Sequence, residues 1–153
     1  MKRIPLTLLL AVALPALADR LPLPADAPAS YAAECGSCHL AYPPALLAAG
    51  DWRRVMAGLD DHFGTDAAVD AQKRQEISTF LEHHAGNAGK LGSAGDPPRI
   101  STTARFVRKH REVPTKLWHD PRVKSAANCE ACHRGAADGN YNEHDIAIRE
   151  LKR

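Results

Sequence analysis

The sequence predicts an all-α protein, mainly helical with few or no strands, that is divided into two small lobes. Two stretches, residues 52–63 and 77–84, carry apolar side chains at the three-to-four-residue spacing of an amphipathic helix. A five-residue motif, Cys-x-x-Cys-His, occurs once in each half of the 153-residue chain, at 35–39 and at 129–133. The helical spacing predicts the fold class, and the repeated motif predicts two lobes with related chemistry.

The motif itself is the attachment signal for a c-type haem. Two cysteines three residues apart on a helical turn face the same way, so both thiols can bond to one porphyrin. The adjacent histidine is then placed to become the first axial ligand of the iron. The sequence therefore predicts two haem c groups, attached through Cys35, Cys38, Cys129 and Cys132, with His39 and His133 as proximal ligands.

Zinc is the main alternative for two Cys-x-x-Cys pairs. A structural zinc site usually spaces its pairs about 15–20 residues apart, whereas residues 35–38 and 129–132 are far more widely separated, and a histidine follows each pair. A thioredoxin-like redox site would need a βαβ setting, which the sequence does not show. These four cysteines are the only ones in the chain, and haem attachment explains all of them.

Residues 1–18 read as a secretory signal peptide. Lys2 and Arg3 give a positive start, an apolar run follows, and the small residues Ala16 and Ala18 offer a cleavage site. No later segment approaches about 18 consecutive apolar residues, so we expect a soluble, exported protein that does not span the membrane. Covalent haem attachment outside the cytoplasm agrees with export, and the signal type indicates a bacterial periplasm.

The remaining chain divides into an N-terminal haem c lobe, residues 19–92, and a C-terminal haem c lobe, residues 93–153. The first has 6 basic and 10 acidic residues and the second has 12 and 8, so their net charges differ in sign. Lobes of this size rarely build a sufficient core from side chains alone. A buried macrocycle in each lobe would supply the missing apolar bulk.

The N-terminal lobe should contain three helices. The first enters the motif at residue 35 and ends before Pro43-Pro44, where a nearby carbonyl is expected to accept the Nδ1–H of His39. The second starts near Asp51, and the third runs from Thr65 or Asp66 to about His84. A haem-bearing helix followed by two more is the order of a class I cytochrome c lobe.

The C-terminal lobe follows a stretch rich in glycine and proline, residues 86–98, that predicts a linker or an exposed loop. One of three residues, Ser101, Thr102 or Thr103, should cap the next helix, and Pro114 should close it. Residues 117–121 read as a turn before the second motif, and the form of the tail, 141–153, stays open.

Four patches of sequence, at 38–47, 59–67, 100–110 and 128–133, resemble the bacterial dihaem cytochrome c family. The resemblance covers nearly all of the chain after residue 18. It implies a periplasmic electron carrier. It also implies candidate partners, namely a small oxygen-binding monohaem cytochrome c and a membrane b-type cytochrome.

The second axial ligand of each iron must come from methionine or histidine. Apart from Met1, only Met56 is present, and its helical spacing favours a core position, so at least one haem should be bis-histidine or open. His62 and His110 are the candidates that position and family resemblance favour. His84 and His144 remain open as competitors, and His119 is a weaker candidate.

An iron with both axial positions filled by protein exchanges electrons and does not readily bind oxygen or peroxide. The predicted function is thus electron transport between redox partners, and not enzymatic catalysis. A dihaem peroxidase-like enzyme and a haem-based redox sensor remain alternatives. Nucleic-acid binding is not expected, since the protein is exported and the basic stretch 105–111 has Phe106 as its only aromatic residue.

Overall fold

The computed structural model describes residues 19–148; the predicted signal peptide, residues 1–18, lies outside them. Within this range the chain is helical and has no strand, only two isolated bridges, Arg20 with Asn140 and His133 with Ile146. The α-helices are α1 (Ala29–Cys35), α2 (Ala49–Ala57), α3 (Ala71–His83), α4 (Ala88–Leu91) and α5 (Ala104–Lys109). The all-α prediction is confirmed. No helix in residues 19–148 has the length and apolarity that crossing a membrane requires.

Side-chain caps explain where α3 and α5 begin, whereas α1 and α2 start without one. Thr103 accepts the N–H of Phe106 and starts α5, as predicted. The third helix begins later than predicted, because Asp70, and not Thr65 or Asp66, accepts an N–H of the first turn. Residues 59–67 form instead a 3₁₀ turn (Leu59–Asp61) and a tight loop, closed by the N–H of Ala67 bonding to the carbonyl of Leu59.

The first three α-helices pack around one hydrophobic cluster. Tyr31 of α1 contacts Phe80 of α3 with ring centroids 5.1 Å apart. From α2, Trp52 donates its Nε1–H to the carbonyl of Pro44 at 2.7 Å, which fastens the helix to the loop after the first motif. The buried members are Tyr31, Leu47, Trp52, Met56, Leu59, Ile77, Phe80, Leu81 and Ala94. Because Cys35 packs against this cluster, the cluster fixes the position of the first motif.

A second and much smaller cluster lies near the second motif. Its buried members are Leu117, Val123 and Ile148, which come from 3₁₀ turns and loops and not from long helices. Ile100 packs against the first cluster although it follows the predicted lobe boundary at 92/93. The boundary itself stays a prediction, but the part of the chain around the second motif clearly has little core of its own.

The N-terminal end of the described chain lies against the second half. The N–H of Leu21 donates to the carbonyl of Gly139 at 2.7 Å, and the N–H of Tyr141 donates to the carbonyl of Asp19 at 2.9 Å. Gly139 has a φ of +69°, and a Cβ there would lie 2.4 Å from Pro22, so only glycine fits this close approach. The two motif-bearing parts are therefore joined at the start of the described chain as well as through residues 86–98. The prediction of a linker or exposed loop for this stretch is wrong in part, because it contains α4 and the buried residues Leu91 and Ala94.

Candidate haem sites

The first motif begins at the C-terminal end of α1, where Cys35 is the last helical residue. Burial raises the pKa of the Cys35 thiol to about 11, with the charge of Glu34 adding to the effect. His39 donates its Nδ1–H to the carbonyl of Leu40 at 2.8 Å, which is the kind of local carbonyl that the sequence predicted. This bond fixes the tautomer, so the lone pair of Nε2 is free to bind a metal.

His62 lies opposite His39. Their ring centroids are 6.2 Å apart and the ring planes differ by 32°. A metal bound between two imidazoles at metal–nitrogen distances of about 2 Å leaves the centroids about 6 Å apart, so this spacing suits one ion between the two rings. Burial, with the fields of His39 and Arg99, lowers the pKa of His62 and favours the neutral, metal-binding ring.

The second motif lies on a 3₁₀ turn, Cys129–Ala131, that Cys132 closes. Burial raises the pKa of Cys129 to about 11. The motif histidine, His133, faces His110 with ring centroids 6.1 Å apart and planes at 89°. Burial and the field of His110 lower the pKa of His133 to about 4, so the neutral ring predominates near neutral pH.

His110 is held by its own helix. Its Nδ1–H donates to the carbonyl of Phe106 at 2.9 Å, and its ring stacks on the ring of Phe106 at 3.9 Å. Burial is the main cause that lowers the pKa of His110. As at His39, a backbone carbonyl orients the ring and leaves Nε2 free for a metal.

Apolar surface beside both histidine pairs fits a large flat cofactor. The exposed large hydrophobic residues of the described chain are Phe63 and Val107, at 40% and 58% exposure. Phe63 follows His62, and Val107 lines a cavity of about 250 Å³ together with His110 and Trp118. The guanidinium of Arg99 already lies 3.8 Å from the centroid of the Phe63 ring. Single exposed hydrophobic residues are common on proteins, but these two lie beside the histidine pairs, where a porphyrin held between each pair would cover them.

Two buried polar atoms near the second pair also fit a cofactor. The Nδ1 of His133 and the hydroxyl of Tyr141 have no hydrogen-bond partner within the described residues. The two rings lie 5.5 Å apart. Because buried polar groups are nearly always paired, these atoms point to a polar group beside His133, and a haem carries two carboxylates that a phenol can bond.

The competing ligands have other partners. The Nε2 of His84 pairs with Asp26 Oδ2 at 2.8 Å, and His144 is exposed. Met56 is 5% exposed and packs in the first hydrophobic cluster, as its spacing predicted. The structure thus brings His62 and His110, and not their competitors, to the two motifs. Their role as iron ligands stays a prediction.

Two aromatic residues beside the sites were not identified from the sequence. Tyr42 stacks on His39 with centroids 4.8 Å apart, and Trp118 lies 5.9 Å from His110. Tyr42 lies in an irregular segment and Trp118 in the short 3₁₀ helix Thr115–His119, so no α-helical periodicity pointed to them. Only their places just after the first motif and in the turn before the second gave any signal.

Zinc sites gather at least three ligating side chains. Within residues 19–148 no three side chains among His, Cys, Asp and Glu come together as a metal-binding cluster. A helical fold in which each of two Cys-x-x-Cys-His motifs is faced by a further histidine defines a c-type cytochrome with two haem sites.

Comparison with known proteins agrees with this class. The family model for dihaem cytochrome c matches residues 31–141, and the chain belongs to that family. It therefore binds two haem c groups. No curated protein matches the chain.

Solved structures show the same relationship. The dihaem cytochrome c of Shewanella baltica OS155 is 39% identical, with a TM-score of 0.70, over 82% of this chain and 95% of that one. A dihaem cytochrome c of Rhodobacter sphaeroides is 37% identical, with a TM-score of 0.67, over 77% of this chain and 98% of that one. A second structure of DHC from that organism is 40% identical, with a TM-score of 0.63, over 72% of this chain and 94% of that one.

Proposed function

We propose that this protein is an exported electron carrier, and not an enzyme, that passes electrons between redox partners through two bis-histidine haems. The observation that carries the proposal is the spacing of 6.1–6.2 Å within each histidine pair. In this proposal Cys35 and Cys38 attach the first haem, with His39 and His62 on its iron. Cys129 and Cys132 attach the second, with His110 and His133 on its iron.

The haem iron, when bound, supplies the one-electron chemistry. The protein's own contribution is to hold the ligands still. His39 and His110 are oriented by backbone carbonyls, and burial keeps His62, His110 and His133 neutral. Ligands that stay in place in both oxidation states leave no axial position for oxygen or peroxide, which favours a carrier over a peroxidase-like enzyme or a gas-binding sensor.

We further propose that the protein works in the bacterial periplasm, with residues 1–18 as its export signal. Covalent attachment of haem outside the cytoplasm supports this location. By family resemblance, a membrane b-type cytochrome and a small oxygen-binding monohaem cytochrome c are the partners to test first. The opposite charge balance of residues 19–92 and 93–153 suits a carrier that meets two different proteins.

Low-temperature electron paramagnetic resonance of the oxidised holoprotein tests this function, because it reads the spin state of each iron. We expect two low-spin ferric haems and no high-spin signal. Peroxide turnover is measured in parallel on the oxidised and the half-reduced protein, with free haem as the reference. A high-spin iron together with robust turnover in the half-reduced state would move the protein to the enzyme class.

A further inference from the structure

Tyr42 lies between the two motifs and touches both of the segments that carry them. Its ring stacks on the ring of His39, with centroids 4.8 Å apart and planes at 22°. Its hydroxyl donates to the carbonyl of Ala127 at 2.6 Å, across 85 positions of sequence. Ala127 stands two residues before Cys129. One side chain therefore connects the motif histidine of the first site with the segment that leads into the second.

The two ends of this connection are fixed by other contacts. On the side of the first site, the buried hydroxyl of Tyr31 donates to the carbonyl of Tyr42, and the next two residues are Pro43 and Pro44, which restrict the backbone. Tyr31 is 1% exposed and belongs to the first hydrophobic cluster. Tyr42 is thus held by the first hydrophobic cluster, the larger of the two.

On the side of the second site, the carbonyl of Ala127 is the point where several groups converge. It accepts the N–H of Cys129 at 3.0 Å as well as the hydroxyl of Tyr42, and the Sγ of Cys129 lies 3.6 Å from it. The core around this segment is small. The hydrogen bond from Tyr42 therefore places the attachment cysteine relative to the better-packed half of the protein.

The hydrogen bond to Ala127 fixes the role of the Tyr42 hydroxyl as a donor. Its partner is a carbonyl oxygen, which can only accept, so the phenol must carry its proton for the bond to form.

We propose that Tyr42 is a positioning residue that couples the two haem sites, with its ring holding His39 and its hydroxyl holding the segment of Cys129. The contacts from His39 through Tyr42 and Ala127 to Cys129 form a continuous path for electron exchange between the sites. In that exchange one iron is oxidised and the other reduced by one electron, while Tyr42 keeps its proton and its electrons. The inference rests on the proposed electron-carrier function.

Three variants of the full holoprotein separate the two contacts. Tyr42→Phe keeps the ring over His39 and removes the hydrogen bond to Ala127. Tyr42→Leu removes both contacts. Thr102→Val is the matched control, because it deletes a hydroxyl-to-carbonyl hydrogen bond of the same length, 2.6 Å from Thr102 to Ala94, in a part of the chain that carries neither motif.

Two measurements are made on each variant. Exchange spectroscopy by nuclear magnetic resonance on the half-reduced protein gives the rate of electron exchange between the haems. We expect this rate to fall severalfold in Tyr42→Phe, to fall further in Tyr42→Leu, and to keep its wild-type value in Thr102→Val. Electron paramagnetic resonance should show one altered haem signal in Tyr42→Leu and none in Tyr42→Phe, because only the former frees the ring of His39.

A wild-type exchange rate in both Tyr42 variants would overturn the proposal. So would an equal loss of rate in Thr102→Val. Failure of the proposed function has a different signature, since a high-spin iron in the wild type would appear before any variant is made. In that case amide hydrogen exchange of residues 125–132 still tests the positioning role. Faster exchange in Tyr42→Phe than in Thr102→Val supports this role, and equal exchange refutes it.

Discussion

The rings of His110 and His133 lie at 89° to each other with centroids 6.1 Å apart, whereas His39 and His62, at 6.2 Å, differ in plane by only 32°. The two candidate sites therefore share a spacing but differ in ring orientation. When the planes of the two imidazoles on one iron are nearly parallel, both donate to the same d orbital, so the energies of the d orbitals differ. When the planes are crossed, each imidazole donates to a different d orbital, and these energies are nearly equal.

We therefore predict two distinct low-spin signals in the electron paramagnetic resonance spectrum of the oxidised protein. The signal with the larger g maximum should belong to the second site, whose rings are crossed. Variants that retain a single haem assign each signal. Two superimposable signals would contradict the difference in ring angle.

Each of the histidines that face the motifs, His62 and His110, should set the spin state of one haem only. His62→Ala is expected to convert one haem to the high-spin state and leave the other low-spin, and His110→Ala should do the reverse, because each removes one axial nitrogen. His84→Ala and His144→Ala serve as controls and should leave both haems low-spin. If His84→Ala and not His62→Ala gives the high-spin haem, the first pair has been assigned wrongly.

Removing one haem should affect the two halves unequally. A Cys35→Ala/Cys38→Ala variant and a Cys129→Ala/Cys132→Ala variant should each have an intact mass with one haem in place of two. The second should lose more hydrogen-exchange protection within its own half, since among residues 19–148 three buried residues form the cluster there, against nine in the first. An equal loss of protection in both variants would show that the haem stabilises the smaller core no more than the larger one.

Acid should weaken the turn that precedes the second motif. Hydrogen bonds from the side chain and backbone of Arg122 lower the pKa of Asp120 to about 2, from an ordinary value of 3.8. Because the pKa is lower in the folded state, the carboxylate stabilises the fold above about pH 4, and this contribution is lost as the pH falls towards 2.

Asp120→Asn should therefore lower the melting temperature slightly at pH 7, and the difference from wild type should vanish near pH 2. Asp145→Asn, at an exposed position in the same half, is the control. Thermal melts of the holoprotein from pH 2 to pH 7 provide the measurement. A difference that persists unchanged at pH 2 would mean that the charge of Asp120 is not its cause.

Charge should steer the encounter with an acidic redox partner. Arg108 is exposed on α5 next to Val107, whereas its neighbour Lys109 pairs with Asp19 at 2.9 Å. We expect electron transfer to the monohaem cytochrome to slow as salt rises, because screening acts beyond roughly 8–10 Å at physiological ionic strength.

Stopped-flow reduction at several ionic strengths measures this effect. Arg108→Glu should reduce the association rate and flatten its salt dependence. Lys90→Glu makes the same change of charge at an exposed position of the first half and should have less effect. Equal rates for wild type and Arg108→Glu would exclude α5 as the docking face.

Some features follow from the sequence because they are local. The pairing of Cys35 with Cys38 and of Cys129 with Cys132 depends on a spacing of three residues, and a histidine follows each pair directly. The apolar periodicity of residues 52–63 predicted a helix, and its first half lies in α2, which ends at Ala57. Its second half is not α-helical, because the chain continues as the 3₁₀ turn Leu59–Asp61 and a loop. These local patterns were enough to predict two haems, an all-α fold and a core position for Met56.

Other features were decided only by the tertiary structure, because they depend on which distant segments pack together. Two candidate histidines, His62 and His84, lie within residues 62–84, and only the tight loop after Leu59 turns His62 towards His39. The 89° angle at the second site and the contact of Tyr42 with Ala127 join segments far apart in sequence. Such contacts are set by the packing of the whole chain and not by local preference, so no motif or period in the sequence records them.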